Sequence, residues 1–180
     1  MHTLYFVKLK AENSKEARRK AYNLLEENNF ATDSQGFYGS SKADWYVVGG
    51  RWSGLFTDKK ETEELIKPLL EKELKERPDL LNYLYINDHS VSKELKEQID
   101  TISIKKTGLP YFRNSYDNDG YEDDAVLITK EILEKLTSEQ YNNTEIADVN
   151  EDEYIEEEYT CDKLTDKNIG EWLVIIDYHN

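Results

Sequence analysis

The sequence is poor in cysteine and in long apolar runs, and each shortage excludes a class of protein. Cys161 is the only cysteine in 180 residues, so no internal disulfide can form and a reducing compartment is expected. The longest apolar runs are residues 45–48 and 172–176, far short of the ~18 residues that a membrane span needs. Residues 2–9 alternate as a strand does and lack the continuous apolar segment of a signal peptide. These features predict a cytoplasmic protein with no membrane partner.

Histidine is also scarce, and the familiar catalytic motifs are missing. His2, His89 and His179 lie far apart, in no spacing typical of metal ligands. There is no P-loop, dinucleotide fingerprint or H-E-x-x-H motif, and Ser53 lies one residue away from the position that a nucleophile elbow requires. The acids around Cys161 are expected to raise the pKa of its thiol, which makes it a poor nucleophile. The sequence therefore favours a non-enzymatic protein, with no catalytic residue and no cofactor.

What the sequence does contain is typical of a folded protein with a strongly solvated surface. Apolar residues make up 38% of the chain and charged residues 34%. The 13 Tyr, 5 Phe and 3 Trp are too many for a disordered chain. A length of 180 residues predicts one domain spanning residues 1–180.

The net charge of −15 is concentrated at one end of the chain. Residues 1–115 hold 19 basic and 18 acidic side chains, whereas residues 116–180 hold 4 basic and 20 acidic ones. Two stretches of this acidic C-terminal part dominate, residues 116–124 and residues 145–166. Such a field repels nucleic acid and attracts basic surfaces, so direct nucleic-acid binding is not expected.

Hydrophobic periodicity predicts an α+β fold. Strands are predicted at residues 3–10, 45–48, 101–106, 124–129 and 171–178, with a further candidate at 80–86. Helices are predicted at 14–28, 59–77, 92–99 and 130–139, and Pro68 either kinks the second or divides it. Residues 149–160 fit either a solvated strand or a loop. The order favours a ferredoxin-like or related sandwich, in which a mixed or antiparallel sheet carries helices on one face and has its first and last strands in the middle.

Residues 44–54 are the most distinctive segment, with three glycines, two tryptophans and one arginine. Glycines let a backbone approach a ligand closely, Arg51 can pair with a carboxylate or phosphate, and a tryptophan can stack on a ring or a cation. One interpretation is therefore a small anion- or nucleotide-binding corner, whose candidate residues are Trp45, Gly49, Gly50, Arg51 and Trp52. The other is a hairpin or bulge in which both tryptophans fill the core and Arg51 pairs with Asp44.

The pattern D-W-Y-x-x-G-G-R-W-S-G after an N-terminal β–α unit resembles uncharacterised bacterial and phage proteins. The resemblance covers about the first 56 residues. It implies no known activity and transfers no catalytic residue. It does favour a gene carried on a mobile element.

The first acidic stretch also contains a candidate cation site at Asp117, Asn118, Asp119 and Gly120, followed by three further acids. Calcium prefers six to eight oxygen ligands, but the spacing does not match an EF-hand loop. The alternative is a solvated Asn-Asp-Gly turn. A metal-assisted enzyme built on Asp117 and Asp119 is the third of three functional hypotheses, after an interaction protein and a small-ligand module.

The interaction hypothesis depends on tyrosines that interleave with the carboxylates. Tyrosine is favoured at interface hot spots, and carboxylates steer a basic partner. A folded acidic surface can also occupy the groove in which a nucleic-acid enzyme holds phosphates, as inhibitors of bacterial defence nucleases do. We therefore predict a phage-type inhibitor that binds a basic, nucleic-acid-handling protein through a set of acids and tyrosines: Tyr116, Asp117, Asp119, Glu122, Asp123, Glu151, Asp152, Glu153, Tyr154, Glu156, Glu157, Glu158 and Tyr159.

Overall fold

The first strand determines the plan of the fold because both of its faces are buried. A computed structural model of the protein describes residues 1–31, 42–76, 92–113 and 119–180. Strand β1 (His2–Leu9) directs Tyr5, Val7 and Leu9 into one hydrophobic core and Phe6 into another. Side chains of a strand alternate between faces, so an apolar sequence on both faces requires a covering layer on each side of the sheet.

Among the described residues, the sheet has six strands and mixed pairing. Its strands are β1, β2 (Trp45–Val48), β3 (Ala125–Leu127), β4 (Glu145–Val149), β5 (Ile155–Thr160) and β6 (Trp172–His179). They lie in the order β2-β6-β1-β4-β5, and β3 pairs with β6 as well. The β1–β4 pair is parallel and the other pairs are antiparallel. The predicted α+β class and mixed sheet are confirmed, and the first and last strands lie side by side within the sheet.

The first face is covered by α1 (Ser14–Glu27), which begins where Asn13 accepts a hydrogen bond from the backbone N–H of Glu16. This bond satisfies one of the free amides of the first turn. Apolar residues at helical spacing then place one stripe against the sheet. The buried residues of that stripe are Ala17, Ala21, Leu24 and Leu25.

The second face is covered by α4 (Lys130–Leu136), which is preceded by the predicted cap Thr129. Leu133 and Leu136 pack with Phe6 of β1 and Ile175 of β6. Helices therefore lie on both faces of the sheet rather than on the single face that was predicted. The physical reason is the sequence of β1 and β6, which is apolar on both sides.

Contacts within the chain divide it into two compact units. The sheet unit comprises Met1–Phe56 and Asn114–Asn180, and the helical unit comprises Thr57–Arg113. In the helical unit, α2 (Lys60–Glu76) runs through Pro68 as one helix and contacts α3 (Lys93–Thr107). Its buried core residues are Ile66, Leu70 and Ile99.

Two segments differ from the sequence-based expectation. The strand predicted at residues 101–106 is part of α3, which Ser92 caps at its N-terminus and the left-handed Gly108 at its C-terminus. Ile102 and Ile104, which suggested strand alternation, lie on this helix instead, where Ile102 is partly buried and Ile104 is half exposed. Residues 145–149 form β4, which was not predicted, and 155–160 of the ambiguous segment form β5. The strand candidate at 80–86 lies outside the described residues.

Candidate functional site

The glycine-rich segment turns the chain sharply after β2. Gly49 and Gly50 have φ angles of 77° and 55°, in the left-handed region that side chains disfavour. The chain then forms a 3-10 turn over Gly50–Trp52 and reverses again at Gly54, whose φ is 71°. The turn therefore depends on glycine for its backbone conformation.

Two buried carboxylates lie directly beneath this turn. Asp124 is fully buried and accepts hydrogen bonds from the Ser53 hydroxyl, the Gly54 amide and the Tyr121 amide, at 2.9, 2.9 and 2.6 Å. Burial raises the pKa of Asp124, and these three donors offset part of that rise. The second carboxylate, Asp177, accepts the Arg51 amide at 2.9 Å.

The side chains of Asp124 and Asp177 occupy the space that a side chain at Gly49 or Gly50 would otherwise fill. A Cβ added to Gly49 would lie 2.3 Å from Oδ2 of Asp124. A Cβ added to Gly50 would lie 2.4 Å from Cβ of Asp177. The close approach that glycine permits is therefore made to the protein's own side chains.

The same geometry leaves little capacity for an external anion at the backbone of the turn. The amides of Gly49, Trp52 and Ser53 donate to backbone carbonyl oxygens, and those of Arg51 and Gly54 donate to the buried carboxylates. A phosphate would have to displace Asp124 or Asp177 and would meet the charge of the other. These contacts disfavour the ligand-binding interpretation of residues 49–54.

The other candidate ligand-binding residues, Trp45, Trp52 and Arg51, each lie in a different environment. Trp45 is half-buried and stacks on His179, with ring centroids 5.6 Å apart and an interplanar angle of 1°. Trp52 packs at the edge of the core beneath α4. The side chain of Arg51 is exposed and makes no ion pair within the described part of the chain. The predicted pairing of Arg51 with Asp44 is not formed, and Asp44 lies instead 3.4 Å from His179.

The second acidic stretch forms a turn and an edge strand. Residues 150–154 connect β4 to β5, and Glu153 has a φ of 63°, which is unusual outside glycine. The Asn150 side chain stabilises this turn by accepting hydrogen bonds from the amides of Asp152 and Tyr154, at 3.1 and 3.0 Å. The β5 strand that follows pairs with β4 and is the last strand on this side of the sheet in the described part of the chain.

Several of these acids are already paired with lysines from the first part of the chain. Glu151 lies 2.9 Å from Lys10, and Glu153 lies 3.2 Å from Lys20. On β5, Glu158 lies 3.0 Å from Lys42 and also accepts a hydrogen bond from Tyr5. These predicted contact residues therefore have internal partners that compete with any external cation.

Four predicted contact residues of the second acidic stretch are exposed and form no ion pair with a described residue, and together they define what we call the acidic edge: Asp152, Tyr154, Glu156 and Glu157. Tyr154 is 65% exposed, which is high for an aromatic side chain. None of the three acids forms an ion pair with another described residue. The acidic edge is thus a short strip of uncompensated negative charge with one exposed aromatic ring.

The first acidic stretch is attached to the beginning of α1. Arg18 donates to the carbonyl oxygens of Asp119 and Gly120, at 2.9 and 3.2 Å, and Ser14 donates to that of Glu122. The side chain of Glu122 is exposed, and that of Asp123 is half-buried. Tyr116 and Asp117 lie outside the described residues. No group of three or more potential metal ligands occurs in the parts of the chain that the structure describes.

A buried ionic cluster was not predicted from the sequence. Lys8 is 2% exposed, and its ammonium lies 2.7 Å from Asp148 and 2.9 Å from Glu171. Tyr159 donates to Asp148 at 3.1 Å, and burial together with these carboxylates raises the pKa of its hydroxyl. The signal for this cluster in the sequence was Lys8, a lysine inside an otherwise apolar strand. Its partner Asp148 could not be predicted because β4 was not recognised from the sequence.

The environment of Cys161 makes it a poor candidate for nucleophilic chemistry. Burial, with a contribution from Asp162, raises the pKa of Cys161 to about 12, so its thiol is a poor nucleophile at neutral pH.

None of the helices in the described residues combines the length and the apolar composition needed to span a bilayer. Comparisons with protein-family models, curated proteins and solved structures found no significant match.

Proposed function

We propose that the protein is a non-enzymatic interaction protein whose acidic edge binds the basic surface of a nucleic-acid-handling protein. The observation that carries the proposal is the set of exposed acids on and beside β5 that have no cation partner in the described part of the chain. A pair of opposite charges across an interface lowers the electrostatic cost of leaving water and accelerates encounter. Tyr154 adds the exposed aromatic contact that interface centres favour.

The choice of partner class follows from charge and arrangement. Three carboxylates spaced along a turn and a strand resemble a row of phosphates in sign and in repetition. A groove that holds phosphates through Lys and Arg would therefore attract the acidic edge and would be blocked to nucleic acid. We infer an inhibitor of the phage anti-defence type, acting by occupation of that groove.

Internal ion pairs limit which of the acids contribute most. Glu151, Glu153 and Glu158 must leave Lys10, Lys20 and Lys42 to engage a partner fully. The uncompensated acids Glu156 and Glu157 have no such cost. Reversing their charge should therefore affect binding more than reversing an equal charge elsewhere.

The test is a triple charge reversal with a matched control. The test variant carries Asp152→Lys, Glu156→Lys and Glu157→Lys. The control carries Glu131→Lys, Glu134→Lys and Glu139→Lys, three exposed acids on or just after α4 that change the net charge equally. Each protein is used to capture partners from the native host at low and high salt, and the Kd of the purified partner is then measured.

We expect a basic, nucleic-acid-handling partner that duplex DNA or RNA displaces. The test variant should bind it at least about a hundredfold more weakly, because like charges placed face to face cost several kcal/mol. The control should bind within a few-fold of the unmodified protein, and affinity should fall with salt. Equal loss in both variants, or binding that salt does not change, would contradict the proposal.

A further inference from the structure

The edge strand β5 offers more than side chains to a partner, because no strand of the described residues pairs with the outer side of its backbone. In the described part of the chain β5 pairs only with β4. The amide of Cys161 donates to the carbonyl oxygen of Thr144 at 3.0 Å, in the same register as the β4–β5 ladder. Antiparallel ladders alternate between residues that bond inward and residues that face outward. Glu157 and Tyr159 therefore bond to β4, and Glu158 and Thr160 direct their backbone N–H and C=O groups outward.

The charge on β5 restricts what can pair with this open edge. Glu156, Glu157 and Glu158 are consecutive, so carboxylates lie on both faces of any sheet that is extended here. A second copy of the same strand would place glutamates against glutamates, and like charges in directly opposed positions are destabilising. The strand is thus protected against pairing with itself, as exposed edges in natural proteins commonly are.

The same charges favour a strand of opposite sign. Lysine or arginine side chains on successive residues of an added strand would reach the carboxylates on both faces. Each such cross-strand pair is favourable, and the outward N–H and C=O groups of Glu158 and Thr160 would gain hydrogen-bond partners. The register shift between Asp148 and Val149 of β4 limits the regular ladder to residues 157–160 of β5.

We propose that the partner engages β5 by strand addition, through an extended basic segment that pairs with the outward backbone groups of Glu158 and Thr160. This inference rests on the proposed function and specifies how the partner docks. The segment carries consecutive Lys or Arg residues opposite Glu156–Glu158. Tyr154, immediately before β5, contacts the aliphatic stem of a basic residue at the end of the added strand.

The experiment uses the full chain and a synthetic peptide as the probe. The peptide has the length of β5, with three consecutive lysines at its centre and valine and threonine on either side. A second peptide has the same sequence with two adjacent backbone nitrogens methylated, which blocks pairing along both of its edges and leaves its charge unchanged. Binding is measured for both peptides, and amide hydrogen exchange is followed for each residue of β5.

Strand addition predicts a specific exchange pattern. The outward amides of Glu158 and Thr160 should exchange at least about tenfold more slowly when the unmodified peptide is bound, whereas the inward amides of Glu157 and Tyr159 are already bonded and serve as internal controls. The methylated peptide should bind at least about tenfold more weakly because hydrogen bonds are lost.

Two outcomes would overturn strand addition. One is that both peptides bind equally and the exchange of Glu158 and Thr160 does not change, so that binding depends on charge alone. The other is that the unmodified peptide does not bind. Neither outcome decides the proposed function, which the triple charge reversal on Asp152, Glu156 and Glu157 tests with the partner itself.

Discussion

Asp124 is the residue around which the most distinctive segment of the sequence is organised. It is fully buried, and its carboxylate accepts hydrogen bonds from three donors, on residues 53, 54 and 121. A buried carboxylate that lacked such partners would cost several kcal/mol. Because burial leaves its pKa above the ordinary value, the contribution of Asp124 to stability is greatest when it is protonated and declines as the pH rises through that raised pKa. The glycines of the turn are required because they let the chain wrap this group closely.

The first prediction concerns Gly49→Ala. The new Cβ would lie 2.3 Å from Asp124 Oδ2 and 2.5 Å from Asp124 Cγ, and φ at this residue is 77°. The control is Gly170→Ala, where φ is 96° and no atom lies within 4 Å of the added Cβ. We expect the control to cost about 1–2 kcal/mol from backbone strain alone, and Gly49→Ala to cost at least about 2 kcal/mol more from overpacking.

Urea unfolding of both variants measures the difference in free energy of unfolding. Similar losses in the two variants would show that the carboxylate moves aside without cost. In that case the turn would have room for a ligand, and the anion-binding interpretation of Gly49, Gly50 and Arg51 would regain support.

At the scale of elements, side-chain contacts add to the β4–β5 backbone ladder in holding the β5 edge to the rest of the sheet. Tyr5 of β1 donates its hydroxyl to Glu158, and the ammonium of Lys42 lies 3.0 Å from Glu158 and 2.7 Å from Glu145. Lys42 also lies 4.6 Å from the centre of the Tyr5 ring. These contacts fix the strand that carries the acidic edge against the middle of the sheet.

The second prediction is a pH dependence in Glu158→Gln. Burial alone would raise the pKa of Glu158, but the hydrogen bond from Tyr5 and the contacts with Lys42 outweigh it, so the pKa lies below its ordinary value of 4.5. A carboxyl group with a lowered pKa stabilises the fold above that ordinary value, and the contribution is lost as the pH falls through the folded pKa. Glu158→Gln should therefore cost about 1 kcal/mol or less near neutral pH, a small figure because the side chain is 44% exposed. The loss should disappear in acid.

The control for this variant is Glu156→Gln on the same strand. Glu156 is exposed and has no ion pair in the described residues, so its replacement should change stability little at any pH. Unfolding free energies measured from neutral to acidic pH compare the two. A deficit in Glu158→Gln that stays constant with pH would mean that the glutamate acts through packing rather than through its charge.

The elements that were predicted correctly from the sequence have a clear hydrophobic pattern. Strand β1, helix α1 with its Asn13 cap, and strand β6 each have such a pattern, and the apolar residues that form it are buried. Strand β4 was not predicted because only Ile146 and Ala147 of its five residues are buried, and Glu145 and Asp148 flank them. The strand predicted at 101–106 was wrong because alternation over so few residues also fits one side of a helix.

The candidate site was predictable in composition but not in arrangement. The sequence identified the acidic stretches and the glycine-rich segment as unusual. It could not show that Asp124 and Asp177, far away in sequence, fill the space above Gly49 and Gly50. It also could not separate Glu156 and Glu157, which are uncompensated, from Glu151 and Glu153, which are paired. Both distinctions depend on contacts between residues that lie 70 or more positions apart in the sequence.

At the scale of the whole molecule, the uneven charge of the sequence is partly balanced in space. Acids of the C-terminal part pair with lysines from the first 42 residues, at Lys8, Lys10, Lys20 and Lys42. Within residues 145–160, the acidic edge is the part that this long-range pairing leaves exposed and without an ion pair to a described residue. Such pairing also joins the two ends of the sheet unit, which lie on either side of the helical unit along the chain.

The last prediction is that the sheet unit folds without the helical unit. The two cores that flank the sheet are built from residues within 4–56 and 125–178, whereas the core of the helical unit comes from residues within 57–113. Replacing residues 57–113 with a flexible glycine-serine linker should therefore leave a protein that unfolds cooperatively and keeps the near-UV circular dichroism of its buried aromatic residues. Because the acidic edge belongs to the sheet unit, the shortened chain should also bind the basic peptide with the same Kd.

Ile175→Ala, made in both the full and the shortened chain, shows whether the core is the same in each. Ile175 is fully buried in the core beneath α4, so its truncation should cost about 2–5 kcal/mol. An equal loss in the two chains means that residues 57–113 contribute nothing to that core. A shortened chain that does not fold, or one in which Ile175→Ala costs much less, would mean that the sheet needs the inserted helices to reach its packed state.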